Sequence, residues 1–429
     1  MAIRLVLAFV LLLAVCRLLF AQSTDSSYVI RNVRVFDGET ITERRTVVIS
    51  EGRITAVGDR TVAVPATAQE VPGEGRTLLP GLMDAHIHLP VFGAADALQQ
   101  MLAFGVTTGV VMGGGAMSRL KEIEATDQAD LAAILTAGAV ATVPGGHPTQ
   151  MDGGAVARAT PTLTAPGEAD AFVAARLSEG SDFIKIIYDD TSEAYGRTLP
   201  TLDEATVAAV VASAHKRGRI AVAHIGNERF ARGAIAAGVD GLAHLFVGPT
   251  VSADFGRFAA SHNVFVIPTM SVLYSVCGRP DGVDFMKDAD TMRYVKPQFQ
   301  TLLAMPAASA KLSCDAVPQA IRQLVAAKVP VLAGTDTPAP GLTYGASLHR
   351  ELEHLVDAGL TPTAALAAAT SVIARTFRLI GRGRIRPGFR ADLLLVDGDP
   401  STQIRATRNI VAIWKRGVRV QRQRWQTGQ

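Results

Sequence analysis

The two ends of the chain alternate apolar and polar positions in a way that is typical of short antiparallel strands. The first such stretch covers residues 28–58 and contains turn dipeptides of the Asp-Gly and Glu-Gly type. A second stretch of the same character covers residues 391–420. We therefore predict that residues 22–78 and 381–429 fold together into one small β-sandwich module.

Between these stretches, apolar runs alternate with Ala-rich segments of helical character, which is the pattern of βα units around a parallel sheet. Eight units can be counted, and this number favours a closed (β/α)8 TIM barrel over residues 79–380. The candidate strands are 82–88, 106–112, 132–143, 183–188, 220–225, 241–246, 264–270 and 329–335. An open doubly wound sheet is the alternative, but no Gly-rich nucleotide-binding motif follows the first strand to support it.

The first residues of the chain have the composition of a targeting segment. A basic start at Arg4 precedes a long apolar run that ends in a small residue, Ala21, before polar sequence. We expect residues 1–21 to be a secretory signal peptide and the protein to be exported, either to the periplasm or outside the cell. Two alternatives stay open: an uncleaved membrane anchor, because the run approaches the length that spans a bilayer, and a lipoprotein site at Cys16.

Composition and charge narrow the classes of partner. Hydrophobic residues make up 48% of the chain and charged residues 19%, which suits a globular enzyme with a large core. The net charge of +3 is small, and no Lys or Arg run is long enough to bind nucleic acid or a lipid surface. We expect a small-molecule substrate, no nucleic acid and no stable membrane association after processing, and a homo-oligomer is left open. Cys277 and Cys314 could pair in an oxidising compartment or stay free.

Five residues that can bind a metal ion lie at the carboxyl ends of the predicted strands. His86 and His88 are two positions apart on the first strand, so their side chains point the same way. His224, His244 and Asp336 end the fifth, sixth and eighth strands. Barrel active sites are built at this end of the strands, and imidazole with carboxylate suits zinc and its neighbours. The structural alternatives are histidines bonded at strand ends and an Asp336 that caps a following helix.

Lys185 lies within the fourth predicted strand, in a run that is otherwise apolar. An unpaired charged amine would cost several kcal/mol to bury there, so its position needs a reason. A lysine that has reacted with CO2 becomes a carbamate, an anionic ligand able to bridge two metal ions. The alternative is a side chain that points out of the barrel and reaches solvent between helices.

Several motifs resemble those of the amidohydrolase superfamily. They are LLPGLMDAHIHL, FIKI, AVAH, GLAH and AGTD, together with the late GRIRPGFRADLLLVDGDP. The similarity extends over residues 28–420. Within the superfamily the chain most resembles the imidazolonepropionase-related and prolidase-like enzymes, which carry a lysine on the fourth strand.

This resemblance implies a binuclear metal centre, with zinc as the expected metal. The implied ligands are His86, His88 and Asp336 on one ion, His224 and His244 on the other, and N6-carboxylated Lys185 between them. A hydroxide that bridges the two ions would attack the substrate carbonyl. Asp336 would take the proton of this nucleophile and pass it to the leaving amine.

Three further residues are candidates for binding the substrate. His147 lies in the loop PGGHPT after the third strand, where related enzymes often carry a GGH sequence. Tyr188 lies three residues after Lys185, and Tyr274 follows the seventh strand. Each could donate a hydrogen bond to a substrate oxygen. A structural role, with the polar atom bonded inside the protein, is equally open for these three residues.

The resemblance and the candidate chemistry together predict hydrolysis of an amide C–N bond, in a dipeptide or an N-acyl amino acid. The same centre could act on lactones, carbamates, ureas or cyclic imides, because each of them presents an electrophilic carbon to the same nucleophile. A barrel that binds a small molecule without catalysis is the alternative of a different class. The presence of all six expected ligands favours an enzyme.

Overall fold

The computed structural model describes residues 27–114, 117–150, 160–306 and 312–425, except for the side chains of residues 194 and 195. The predicted signal peptide, residues 1–21, lies outside the described residues. The strands are β1 (Tyr28–Phe36), β2 (Ile41–Ser50), β3 (Arg53–Gly58), β4 (Gln69–Pro72), β5 (Arg76–Pro80), β6 (Leu82–Ile87), β7 (Val106–Val111), β8 (Ala133–Thr136), β9 (Ile184–Ile187), β10 (Ala221–His224), β11 (Gly241–Ala243), β12 (Phe265–Ile267), β13 (Leu393–Asp397), β14 (Ile410–Lys415) and β15 (Val418–Arg419).

Helices alternate with the middle strands and become more frequent after β12. They are α1 (Ala94–Ala103), α2 (Met117–Thr126), α3 (Ala169–Ser178), α4 (Ser192–Tyr195), α5 (Glu204–Lys216), α6 (Glu228–Ala236), α7 (Phe255–Ser261), α8 (Met270–Val276), α9 (Gly282–Lys287), α10 (Ala289–Met292), α11 (Pro297–Ala304), α12 (Ala316–Ala326), α13 (Ala346–Asp357), α14 (Pro362–Ala368) and α15 (Ser371–Thr376). Within the described ranges, no helix combines the length and the apolar composition needed to cross a bilayer.

The two ends of the chain meet in one sheet, which we call the terminal sheet. Its strand order is β15-β14-β13-β5-β1-β2-β3, with β4 paired to β1. Strand β5 runs parallel to β1 and antiparallel to β13, and so joins the N-terminal strands directly to the C-terminal ones. Both ends therefore contribute to one module, as expected. Hydrogen bonds join these eight strands into one continuous sheet, in which Tyr28 of β1 packs edge-on against Trp414 of β14, and the predicted β-sandwich arrangement stays a prediction.

The middle of the chain forms a TIM-barrel-like α/β unit. Its parallel strands lie in two sheets, β6-β7-β8 and β12-β11-β10-β9. Isolated parallel bridges connect these sheets, from Ala141 to Ile186, from Val266 to Val331 and from Ile87 to Thr337. The predicted eighth strand, 329–335, is not a regular strand, and Pro330 within it has no N–H to donate. This segment nevertheless hydrogen-bonds to both of its neighbours, β12 and β6.

Alternation along the barrel strands separates an inner face from an outer one. In β9, Ile184 and Ile186 pack outward in the large cluster that includes the surrounding helices. Phe183 packs in the other direction, in a smaller cluster with residues such as Val222 and Ile267 at the bottom of the barrel. Lys185 shares the inner face with Phe183, so its side chain extends inward above this apolar floor.

The long connection between β12 and the eighth segment contains helices α8 to α11. Cys277, directly after α8, forms a disulfide with Cys314, directly before α12. Of the two options left open by the sequence, the structure therefore shows the paired one. The bond joins the end of α8 to the segment that precedes α12 and so closes a loop that contains α9, α10 and α11.

Candidate metal centre

The five residues predicted at strand ends lie at the same end of the barrel. His86 is within β6 and His88 follows it directly, while His224 is the last residue of β10. His244 follows β11, and Asp336 follows the irregular eighth segment. Parallel strands bring their carboxyl ends to one rim, so residues from four places in the sequence become neighbours.

Two of these side chains, His86 and His88, converge on a single oxygen of Asp336. The Nε2 atoms of His86 and His88 lie 3.1 Å and 3.0 Å from Oδ1 of Asp336. The same two nitrogen atoms are 3.3 Å apart. His244 is the next neighbour, with Nδ1 3.9 Å from Oδ2 of Asp336 and its ring centroid 4.6 Å from that of His86. The ligand atoms that His86, His244 and Asp336 can offer lie within 4.8 Å of one another, which makes them a possible metal site.

His224 extends this cluster on the far side of His244. The ring centroids of His224 and His244 are 4.6 Å apart, at an interplanar angle of 77°. His147 stacks on the other side of His224, with a centroid distance of 5.1 Å and an angle of 26°. Of the residues predicted to bind substrate, His147 is thus the one that lies next to the proposed ligands.

Hydrogen bonds fix which nitrogen of two histidines is free to bind a metal. Nδ1 of His88 lies 3.0 Å from the carbonyl oxygen of Gly113, which can only accept, so this nitrogen carries the proton. Nδ1 of His244 lies 2.7 Å from Oγ1 of Thr269, whose hydroxyl donates to the carbonyl of Pro268 and therefore accepts from His244. In the neutral form of both rings the lone pair is therefore on Nε2, as a metal ligand requires.

This assignment makes the contact of His88 with Asp336 informative. A lone pair on Nε2 and a carboxylate oxygen, which is also an acceptor, face each other at 3.0 Å. Two acceptors at this distance repel each other unless a positive charge lies between them. The donor set therefore fits a cation that is shared by His86, His88 and Asp336.

The surroundings of His86, His244 and Asp336 shift their pKa values toward the protonation states that bind a metal ion. Burial lowers the pKa of His86 to about 3, and it lowers the pKa of His244 well below the usual value, so both rings are neutral. Burial raises the pKa of Asp336, but its interactions with His86 and His244 and the hydrogen bonds from His86 and His88 lower it by more, and the net pKa lies well below 3.8. Neutral imidazoles beside an ionised carboxylate are the ligand forms that a divalent cation binds.

Two of the proposed ligands have unusual backbone conformations. His244 has φ 74° and Asp336 has φ 62°, a left-handed region that non-glycine residues rarely adopt. The amide of Asp336 donates to the carbonyl of His86, which ties the eighth segment to β6 at the site. The next helix along the chain, α13, begins only at Ala346, so the predicted alternative role of Asp336 as a helix cap is excluded. Such strain is common where side-chain placement has a function.

Lys185 is the most unusual side chain of the centre. It is 2% exposed, and its Nζ has no hydrogen-bond partner among the described residues. Burial lowers its pKa from 10.5 to about 7, and the charge of Asp336 offsets this only in part. The alternative of an outward-pointing Lys185 is therefore wrong, because the amine is enclosed beside His86, His244 and Asp336.

The two predicted tyrosines do not join this group. The ring of Tyr188 packs edge-on against Phe230 and beside Gly233 of α6, because alternation puts it on the outer face of the strand with Ile186. Tyr274 lies in α8, edge-on to His354 and beneath the guanidinium of Arg279. No hydrogen bond or salt bridge of the described residues joins either tyrosine to the proposed ligands, and their role in binding substrate stays a prediction.

Three further residues support the proposed ligands, and two of them, Thr269 and Asp189, were not identified from the sequence. Thr269 orients His244, and Asp189 lies 3.4 Å from Nε2 of His224. Asp84, below the histidine pair, accepts hydrogen bonds from the amides of His86 and Thr335, and burial raises its pKa to about 7. A polar residue in an apolar strand was the available signal for Asp84, whereas Asp189 and Thr269 lie in loops where polar residues are ordinary.

Comparison with known proteins assigns the family. Residues 77–421 match the model of the amidohydrolase family. An uncharacterised protein of Mycobacterium tuberculosis is 25% identical over 351 residues, which cover 80% of this chain and 85% of the relative. A solved amidohydrolase structure has a TM-score of 0.72 at 23% identity, covering 92% of this chain and 98% of that one. An Xaa-Pro dipeptidase with methionine bound in its active site has the same TM-score at 22% identity, covering 92% and 99%.

These similarities agree with the geometry of the site. The structural likeness supports the TIM-barrel-like fold, and the matched range contains all six proposed ligands. The family generally uses divalent metal ions, for which His86, His244 and Asp336 form a possible site. Because the family model covers most of the chain, this protein belongs to the amidohydrolase family and is a hydrolase that acts on carbon–nitrogen bonds.

Proposed function

We propose that this protein is a binuclear metal-dependent amidohydrolase that cleaves the amide bond of a dipeptide or an N-acyl amino acid. Within the family we assign it to the imidazolonepropionase-related, prolidase-like group with a metal-bridging lysine. The observation that carries the proposal is the convergence of Nε2 of His86 and of His88 on Oδ1 of Asp336, at 3.1 Å and 3.0 Å, beside a buried Lys185 amine that has no hydrogen-bond partner among the described residues.

The proposed metal ligands divide into two groups. His86, His88 and Asp336 would hold one ion, and His224 with His244 would hold the other. Imidazole and carboxylate are ligands of zinc and of neighbours such as manganese and cobalt. When bound, two divalent ions lower the pKa of a water molecule and polarise the carbonyl of the substrate.

Lys185 would complete the centre between the two groups. Its amine is buried without a partner, a state that costs free energy and that a ligand role would relieve. A neutral amine adds to CO2 to form a carbamate and releases one proton. The product carries the negative charge and the two oxygen atoms that a bridging ligand needs.

Asp336 would move the proton during hydrolysis. Its carboxylate is ionised and can therefore accept a proton from the attacking water. The same residue would then donate this proton to the leaving amine, which could not depart as an anion. His147, stacked on His224 at the edge of the centre, would bind the carbonyl or the carboxylate of the substrate.

The substrate class can be tested with the metal-loaded protein. The structural likeness to an Xaa-Pro dipeptidase makes dipeptides the first substrates to try, followed by N-acyl amino acids. Lactones, carbamates, ureas and cyclic imides serve as the comparison panel. We expect the highest kcat/KM on an amide with a free carboxylate. A higher value on any member of the comparison panel would contradict the proposed substrate class.

We also propose that the protein is exported. The pairing of Cys277 with Cys314 supports an oxidising compartment, since cytosolic thiols are kept reduced. Mass spectrometry of the mature protein should give Gln22 as its first residue. A mature chain that still begins at Met1 would instead indicate a retained anchor or an intracellular protein.

A further inference from the structure

A buried carboxylate lies on the outer side of His224. Asp189 follows β9, and its side chain is 4% exposed. Oδ2 of Asp189 lies 3.4 Å from Nε2 of His224. The backbone of Asp189 is held as well, because its amide donates to Oγ1 of Thr201 at 3.0 Å. Asp189 is therefore a fixed neighbour of a proposed metal ligand.

The space for this carboxylate is made by Gly226, which lies two residues after His224, beyond the end of β10. A Cβ atom at Gly226 would lie 2.5 Å and 2.6 Å from the two carboxylate oxygens of Asp189, closer than real contacts allow. Gly226 does not have a positive φ, so its backbone would accept another residue. The reason for glycine at this position is thus the room that Asp189 occupies.

The contact decides which nitrogen of His224 faces the centre. A carboxylate only accepts, so Nε2 of His224 carries the proton and Nδ1 holds the lone pair. The carbonyl of Gly113 and the hydroxyl of Thr269 hold His88 and His244 in the same manner, through the nitrogen that does not bind the metal. Outer carboxylate partners of this kind orient a metal-binding histidine and increase the basicity of its free nitrogen.

We propose that Asp189 is a positioning residue for His224: it aims Nδ1 at the second metal ion and stabilises that ion through the charge it places behind the ring. The inference rests on the proposed binuclear centre. It concerns only the ion held by His224 and His244. The ion held by His86, His88 and Asp336 has no contact with Asp189 and should not respond.

The neighbouring residue provides a matched control. Asp190 has the same chemistry, but its Oδ1 accepts hydrogen bonds from the amide and the hydroxyl of Ser192. Its Oδ2 lies 3.2 Å from the exposed guanidinium of Arg229. A substitution at this position removes a carboxylate from the same loop without changing the environment of His224.

The test uses the zinc-loaded protein and three variants, Asp189→Asn, Gly226→Ala and Asp190→Asn. Each protein is dialysed against increasing concentrations of a zinc chelator, and the ions that remain on each chain are counted. For Asp189→Asn we expect one ion to be lost at a chelator concentration about 10–100-fold lower than in the wild type, with the other ion unchanged. Gly226→Ala should show a smaller shift of the same ion, because its Cβ displaces the carboxylate. Asp190→Asn should behave as the wild type.

The outcomes separate this inference from the proposed function. If the wild type binds two ions and both Asp189→Asn and Gly226→Ala retain them as tightly, the positioning role is wrong while the binuclear centre stands. Equal weakening of both ions in Asp189→Asn would indicate a general structural role and would also overturn the inference. A wild type that binds fewer than two ions overturns the binuclear centre and the inference with it. Gly226→Ala supplies the answer if Asp189→Asn does not fold, which thermal unfolding of each variant checks.

Discussion

Two lysines of this protein are buried almost completely, and their surroundings differ in one respect. Lys415, on β14, is 0% exposed, and its Nζ donates a hydrogen bond to Oδ1 of Asp127 at 2.8 Å. Lys185, inside the barrel, is 2% exposed and has no partner among the described residues. Burial lowers the pKa of both, in the case of Lys185 to about 7.

The difference separates a structural lysine from a reactive one. Asp127 follows α2 of the barrel and Lys415 belongs to the terminal sheet, so their ion pair connects the two parts of the molecule. A paired, protonated amine has no lone pair with which to react. The amine of Lys185 reaches its neutral form near pH 7 and faces the histidines of the centre, so it is suited to react with CO2 and bind metal.

The largest expected effect is a loss of kcat on replacing Asp336 in the barrel, compared with Asp127, which pairs with Lys415 of the terminal sheet. Asp336→Asn should lower kcat by about 10³-fold or more, because an amide cannot take up and return the proton of the reaction. Its unfolding free energy should change little, since the side chain keeps its size and its acceptor oxygen. Steady-state kinetics on the metal-loaded protein, with thermal unfolding as a check, would measure both quantities.

Asp127→Asn is the control for that experiment. It removes the negative charge that forms ion pairs with Lys415 and Arg390. The free energy of unfolding should fall by about 1–3 kcal/mol, while kcat per folded molecule should stay unchanged. Wild-type turnover in Asp336→Asn would remove the acid–base role from Asp336.

The second prediction compares the metal content of variants at the two lysines. Lys185→Ala should lose metal and activity, because the bridging ligand is gone, and small carboxylic acids such as acetate should restore part of both. Lys415→Ala should keep the wild-type metal content. Metal analysis of both variants, with and without added acetate, would measure this. Unchanged metal content in Lys185→Ala would show that its amine is not a ligand.

Replacing each of the two lysines by methionine should change the unfolding free energy in opposite directions. In the metal-free protein, Lys185→Met should raise the unfolding free energy by about 1–3 kcal/mol, because it removes a buried polar group that has no partner. Lys415→Met should lower the unfolding free energy by a similar amount, because it removes one of the positive charges that pair with the Asp127 carboxylate. Chemical denaturation of both variants compares them directly, and the same sign for both would remove the distinction drawn between the two lysines.

The gain from Lys185→Met should depend on pH. The folded protein lowers the pKa of Lys185 from 10.5 to about 7, so the unfolded chain binds more protons between these values. The stability of the metal-free wild type therefore rises with pH in this window relative to the variant. The advantage of Lys185→Met should be greatest below about pH 7 and should shrink toward pH 10.5. A constant difference between pH 6 and pH 10 would contradict the lowered pKa.

The sequence identified the residues that the structure brings together at the rim better than the residues that support them. His86 and His88 were identifiable because a strand places alternate residues on one face, and His224, His244 and Asp336 because they follow apolar runs. Lys185 stood out as a charge in such a run, and its inward direction follows from the same alternation. These predictions use only local periodicity, which can be read from neighbouring residues in the sequence.

Other features depend on contacts between distant segments, which periodicity does not encode. Asp189 is recognisable only when Gly226 and His224 are brought beside it. Tyr188 was assigned to the rim although the alternation that turned Lys185 inward turns it outward, against α6. Strand patterns reveal strands but not their partners, so the pairing of β5 with β1 and β13 in the terminal sheet was not visible in the sequence.

The central claim is that six side chains of the barrel interior hold two divalent metal ions. It is tested most directly by measuring the metal content of the wild-type protein, purified without chelators, by inductively coupled plasma mass spectrometry. We predict about two divalent ions per chain. A folded protein that contains none, and takes up none when zinc is added in excess, would contradict the account.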